Sequence, residues 1–214
     1  MSPDTKKSAH TVLYYIWWFF IGILLSGNAS ASVVIHATRI IYPGASREAV
    51  VRLENKGTKP SLVQAWIDNG QQDIAVEQQA SPFVVIPPVF RIEPGNGQTV
   101  RITYTGETTL PEEQESIFWL NTLDIPPKPV TTKSQANLLQ VAINSRIKVF
   151  YRPRLLDEKD ARRAAENLEW QMKGREASVK NNSPYFVSLV GIKDMAEKRI
   201  ADAKMLPPGG SLTI

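Results

Sequence analysis

Between Ser32 and Tyr151 apolar and polar residues alternate at a period of two, in short runs broken by turn-forming residues. Val33, Ile35 and Ala37 alternate against Val34, His36 and Thr38. Ala49, Val51 and Leu53 lead into an Asn55-Lys56-Gly57 turn, and Val63, Ala65 and Ile67 into Asp68-Asn69-Gly70. Phe83–Ile86 runs into Pro87-Pro88 and Val89–Ile92 into Pro94-Gly95; Val100, Ile102 and Tyr104 follow, then Ile117–Leu123. Leu138–Tyr151 is the longest candidate strand. Successive strand residues point to opposite faces, so each run offers one face to a core and one to solvent. Roughly seven or eight short strands with turns between them predict a β-sandwich. The prolines fall at the breaks, where they remove no ladder hydrogen bond.

After Arg152-Pro153 the pattern changes. Asp157–Leu168 is rich in Ala, Glu, Arg and Lys and predicts a short polar helix with a solvated charged face. Leu168–Trp170, Glu176–Val179 and Tyr185–Ile192 predict strands again. The expected organisation is a first β-domain over residues 32–151, a linker over 152–156 and a second β-domain over 157–214. A complete immunoglobulin-like domain needs about 100 residues, so the second is expected to be truncated.

The first 31 residues form a separate segment. Lys6, Lys7 and His10 precede the apolar run Val12–Leu25, and Ala29-Ser30-Ala31 ends it. That layout predicts a secretory signal peptide cleaved after Ala31. A membrane anchor is the rival reading, suggested by bulky Tyr14, Tyr15, Trp17 and Trp18. Against it, the apolar run falls short of the roughly 20 residues a spanning helix needs. Export usually brings disulfides, yet the chain has no cysteine, so the mature protein must rest on its core alone.

Charge and candidate chemistry narrow the function. The net charge of +4 is spread along the chain rather than gathered into a basic arm with interleaved aromatics, which argues against nucleic acid. There are two histidines, His10 and His36, and no pair at metal-ligand spacing. No Gly-rich phosphate loop is present, and Gly209-Gly210 reads as a turn. Glu112, Glu113 and Glu115 read as solvated loop acids, and His36 as a strand-surface residue. Asn181-Asn182-Ser183 matches a glycosylation sequon, a three-residue coincidence of little weight. The expectation is a protein that is not an enzyme, with no metal, no cofactor and no small-molecule substrate.

Four stretches, in order, carry a resemblance. They are Thr38–Pro43 (TRIIYP), Leu110–Asn121 (LPEEQESIFWLN) with Ile125-Pro126-Pro127 after it, Asn137–Ile143 (NLLQVAI) and Arg146–Pro153 (RIKVFYRP). Together they resemble the PapD-like periplasmic pilus chaperones, over essentially all of 32–153 and more loosely 170–192. The resemblance implies an all-β fold of two immunoglobulin-like sandwiches, a periplasmic location, and pilus subunits and an outer-membrane usher as partners. The lack of cysteines and the spacing before Asn137 are similar to the short-loop subgroup, which serves adhesive pili with rod-like shafts.

It also implies a mechanism. Leu139, Val141 and Ile143 share one strand face, and would fill pockets of a pilin whose own fold lacks its last strand. Read without the resemblance, the triplet would be core of the chain's own sandwich. Arg39 and Lys148 would meet in the cleft and bind the carboxylate at the pilin's C-terminus; taken singly, each reads as a surface charge. Glu115 and Arg152 would join an acid from the end of the second domain to fix the interdomain angle. Glu113 and Gln114 depart from the family's usual acid or Asn followed by a basic residue. The end of the second domain is expected to be absent, and the elbow is therefore expected to be less rigid than in relatives. Two other readings stay open: an exported structural or adhesion sandwich, and a non-functional chaperone remnant.

Overall fold

The computed structural model describes residues 32–71, 81–128, 140–174, 176–193, 196–197 and 199–214, without the side chains of 200, 201 and 203. In chain order the elements are β1 (Val33–Ile35), β2 (Arg39–Pro43), β3 (Glu48–Asn55), β4 (Ser61–Asp68), β5 (Phe83–Ile86), β6 (Val89–Ile92), β7 (Gly97–Tyr104), β8 (Ser116–Ile125) and β9 (Ile143–Arg152). A short helix α1 (Glu158–Arg163) follows, then β10 (Leu168–Lys173), β11 (Glu176–Asn181), β12 (Val187–Lys193), β13 (Arg199–Leu206) and β14 (Ser211–Thr213).

The first nine strands form two sheets, in the orders β1-β3-β7-β5 and β2-β9-β8-β4-β6. The alternation seen in the sequence is what buries one face of each. Val51, Leu53, Val100 and Ile102 of the first sheet are 0–4% exposed, as are Val63, Leu120 and Val149 of the second. They meet in one core cluster, so the two sheets pack face to face as a sandwich. At its centre Phe83 packs edge-on against Tyr42 and Phe118, with ring centroids 5.2 and 4.9 Å apart. The buried Tyr42 hydroxyl donates to the Arg47 carbonyl and accepts from the Tyr104 N–H, so its polar end is satisfied. Phe83–Ile86 and Val89–Ile92, adjacent in sequence, lie in opposite sheets because the chain crosses between them at Pro87-Pro88.

One pairing runs parallel while its neighbours are antiparallel. β2 lies beside the end of β9 with Arg39 opposite Lys148, Ile41 opposite Phe150 and Pro43 opposite Arg152. On its other side β9 pairs antiparallel with β8 along its length, from Ile143 opposite Asp124 to Tyr151 opposite Ser116. β9 is also shorter at its start than expected: it begins at Ile143, so Val141 precedes it, and Leu139 lies outside the described residues.

Beyond β9 the expected polar helix forms as α1. Asp157 caps it by accepting from the Asp160 N–H, acids occupy its first turn and Arg162 and Arg163 its last, each matching the helix dipole. The strands that follow make sheets of order β10-β11-β14 and β12-β13. β13 and β14 were not anticipated. Ala164, Tyr185 and Val187 form a small core against α1 and Leu156. The sequon is structural, since Asn181 is fully buried and donates to the carbonyls of Tyr185 and Pro207.

Leu120 is wholly buried between the sheets. Leu120→Ala is expected to lower the unfolding free energy by about 2–5 kcal/mol, from lost burial plus the cavity left behind. A urea titration followed by tryptophan fluorescence measures it.

Candidate functional site: a basic pair beside an interlobe cleft

The parallel register sets two cations side by side. On β2, Ile40 and Tyr42 point into the core, which turns Arg39 and Ile41 outward; on β9, Val149 is the core residue, which turns Lys148 and Phe150 the same way. Arg39 and Lys148, 109 residues apart in sequence, thus become direct neighbours on one sheet face. Neither forms an ion pair among the described residues. Two like charges held about 5 Å apart repel by about 1 kcal/mol in water and more where water is thinned. An anion between them relieves that repulsion and gains from both.

Further along the face the charges are already matched. Lys148 lies opposite Trp119, and Trp119 opposite Asp68. Arg146 pairs with the buried Asp68 and stacks over the Trp119 ring, 4.9 Å from its centroid. Asn121 completes the Asp68 shell at 2.5 Å. The turn holding this shell requires glycine at position 70, where φ is +102° and a Cβ would sit 2.7 Å from the Trp119 ring.

On the other side of Arg39 opens a cleft of about 730 Å³. Ile41, Pro43, Phe150 and Arg152 form one wall, and Leu156, Ala161, Arg162, Tyr185 and Phe186 the other. Arg39 lines it, while Lys148 stands beside Arg39 without lining it. Glu158 and Arg162 of α1 pair at the rim, and the hydrogen bond from Arg162 holds the Glu158 carboxyl below the usual carboxylate range.

The floor of the cleft is a joint built around one buried carboxylate. Glu115 is 4% exposed, and so is not the solvated loop acid that its run of glutamates suggests. Its Oε1 accepts from Arg152 Nε at 2.8 Å and its Oε2 from the Phe186 N–H at 2.9 Å. Its own N–H donates to the Pro184 carbonyl at 2.9 Å. Arg152 also lies 5.5 Å from the Tyr185 ring centroid, and Phe150 packs on Phe186 at 5.5 Å. The Tyr185 hydroxyl accepts from the Asp157 N–H, and burial pushes that phenol above its ordinary range. The elbow is therefore tied by the 184–186 backbone, through groups that carry no side-chain signature. Sequence reasoning picked out Glu115 and Arg152 but not these partners.

Val141 and Ile143 are 57% and 48% exposed, so neither is a core residue. β2 pairs only with residues 148–152 of β9, which leaves the 143–147 edge on that side unpaired among the described strands.

With this geometry in view the chain compares closely with known proteins. Residues 32–157 match the family model described as pili and flagellar-assembly chaperone, PapD N-terminal domain, and residues 163–214 match the pili assembly chaperone PapD, C-terminal domain. The chain belongs to the PapD-like family of pilus-assembly chaperones, whose members are not enzymes. It is 39% identical over 200 residues to the chaperone protein HifB of Haemophilus influenzae, covering 92% of this chain and 82% of HifB. It is 40% identical to the "Probable fimbrial chaperone YadV" of Escherichia coli K12 over 197 residues, 89% of this chain and 80% of YadV. The YadV crystal structure superposes with a TM-score of 0.71 at 38% identity over 86% of this chain and 84% of that one. The SafB chaperone of Salmonella enterica, solved in complex with SafA pilin, gives 0.70 at 28% identity, covering 87% and 85%.

Glu115→Ala leaves the half-buried Arg152 without its partner and frees the Phe186 N–H. The expected cost is about 3–5 kcal/mol, the range for breaking one side of a buried pair. Hydrogen exchange should show the Phe186 amide losing its protection, while core amides of β4 and β8 exchange only as global stability dictates.

Proposed function

We propose that this chain is a periplasmic chaperone that caps pilus subunits by strand donation, anchors their C-terminal carboxylate on Arg39 and Lys148, and passes them to an outer-membrane usher. The observation that carries the reading is the in-register pairing of Arg39 with Lys148, two cations without an ion-pair partner among the described residues. A terminal carboxylate is the small anion that every polypeptide possesses, and two cations on neighbouring strands suit its two oxygens. Desolvation offsets much of the Coulomb gain, so the chief effect of the anchor is register: it sets which pilin residues face which donor residues.

The open edge of β9 supports the second element. A strand laid along residues 143–147 would gain backbone hydrogen bonds, and Ile143, Val141 and Leu139 at period two would enter its apolar groove. Burial of each contributes about 1.5–3 kcal/mol. An unfinished pilin presents an unpaired strand edge of its own, an aggregation hazard that such pairing covers. The solved complex of SafB with SafA pilin supports pilus subunits as the partner class. In this reading residues 1–31 are removed on export, residues 32–151 and 157–214 act as two domains about the 152–156 link, and the assembled Glu115 joint favours a working chaperone over a remnant.

Binding of a peptide that carries the last residues of a pilin tests the anchor. Arg39→Ala and Lys148→Ala are each expected to weaken it tenfold or more, about 1.4 kcal/mol. Amidating the peptide's terminus should do the same to the wild type and nothing further to Arg39→Ala. Equal affinity for acid and amide peptides would remove the carboxylate from the mechanism. Val141→Asp, which sets a charge in an apolar groove, should abolish co-purification of the pilin while leaving the melting temperature unchanged.

A further inference from the structure

Among the described residues three carboxylates are buried in the sandwich and its joint, and two have an arginine: Asp68 has Arg146, and Glu115 has Arg152. The third, Asp124, is 7% exposed and lies at the end of the sandwich where β1 begins. Each of its oxygens is met by a hydroxyl, Ser61 donating to Oδ1 and Ser32 to Oδ2. No described Lys, Arg or His forms an ion pair with it. A carboxylate held away from water by neutral donors alone is poorly compensated.

Ser32 is fixed in place. Its carbonyl accepts from the N–H groups of Lys56 and Gly57 at 2.6 and 3.3 Å. A Cβ on Gly57 would stand 2.9 Å from the Ser32 Cβ, so the two backbones approach closely there. The Ser32 α-nitrogen is three bonds from the hydroxyl oxygen that touches Asp124, which places it about 3–4 Å from that oxygen by covalent geometry. While residues 1–31 are attached it is a neutral amide; once they are removed it is an ammonium.

We propose that the α-ammonium created at Ser32 by removal of residues 1–31 is the counter-ion of Asp124, so that export processing completes a buried ion pair in the sandwich. The inference rests on the cleavage after Ala31 proposed above. The surrounding charges are engaged elsewhere: His36 and Lys56 both pair with Glu54, and Arg91 pairs with Glu93 beyond β6. Lys59 lies in the turn before Ser61, and Lys128 follows β8. Across the sheet Asp124 is flanked by apolar Val63 and Ile143.

An α-amino group ordinarily titrates at about 7.7–8.0, and pairing with a carboxylate raises that value in the folded state. A group whose pKa rises on folding stabilises fully below its unfolded value and loses that contribution as pH climbs through the folded one. The processed protein should therefore lose this stability at alkaline pH, and a form blocked at Ser32 should not.

The test uses mature protein purified from the periplasm, its N-terminus read by mass spectrometry, with and without selective α-acetylation, in the wild type and in Asp124→Asn. Acetylation is expected to lower the wild-type melting temperature by about 2–4 °C at neutral pH and to leave Asp124→Asn nearly unchanged. The wild-type difference should fade as pH rises past the amine's titration. His36 is common to all four proteins, so any contribution it makes cancels. Equal shifts in both backgrounds, or a shift indifferent to pH, overturn the pair. If Asp124→Asn does not fold, the pH profile of free against acetylated wild type settles the matter alone. A mature N-terminus other than Ser32 overturns the cleavage reading and with it the pair; a Ser32 terminus without coupling overturns the pair only.

Discussion

The parallel ladder between β2 and β9 is the constraint on which the rest of the site depends. Its five residue pairs, from Arg39 with Lys148 to Pro43 with Arg152, do three things at once. They close the edge of the five-stranded sheet over the last half of β9, they place two cations together, and they deliver Arg152 to the cleft floor. A shift of one residue would send Arg39 and Ile41 into the core and Ile40 and Tyr42 to solvent, so the buried faces enforce the register. The placement of the two cations is thus guarded by the same packing that stabilises the sandwich.

Glu115 carries the second constraint. A buried ion pair is weak evidence of stability, because desolvation consumes most of its attraction. Its value here is directional: two oxygens and one N–H of a single residue engage Arg152, Phe186 and Pro184. A hydrophobic contact such as Phe150 on Phe186 permits sliding, whereas three hydrogen bonds with fixed directions do not. The cleft width follows from that joint, and so does the position of Arg162 across from Arg39.

Much of the sandwich was legible because alternation at period two reports burial directly; Leu53, Val63, Val100 and Leu120 all lie where the pattern placed them, in the core. Pairing between distant strands is a different matter. Nothing in TRIIYP or RIKVFYRP states that the two run parallel or that Arg39 faces Lys148, since register is set by packing across the whole sheet. Their joint role was suggested only by family resemblance. The other partners in the elbow are not legible for a related reason. The partners of Glu115 are a backbone N–H and a carbonyl, which any residue provides, so no motif announces them. β13 and β14 were missed because Arg199–Leu206 mixes charged and apolar residues without clean alternation and Ser211–Thr213 is too short to read.

The exposure of Val141 and Ile143 brings these points together. Large apolar groups beside an open strand edge are a liability for any soluble β-protein, and edges are usually blunted by charge, proline or cover. Here the edge at 143–147 is bordered on one side by β8 alone and ends at two unpaired cations among the described residues. In the proposed function these charges favour a polypeptide that arrives with a terminal carboxylate. In the reading proposed above, an edge that is open, apolar and cationic at one end selects its occupant by charge before apolar contacts add affinity.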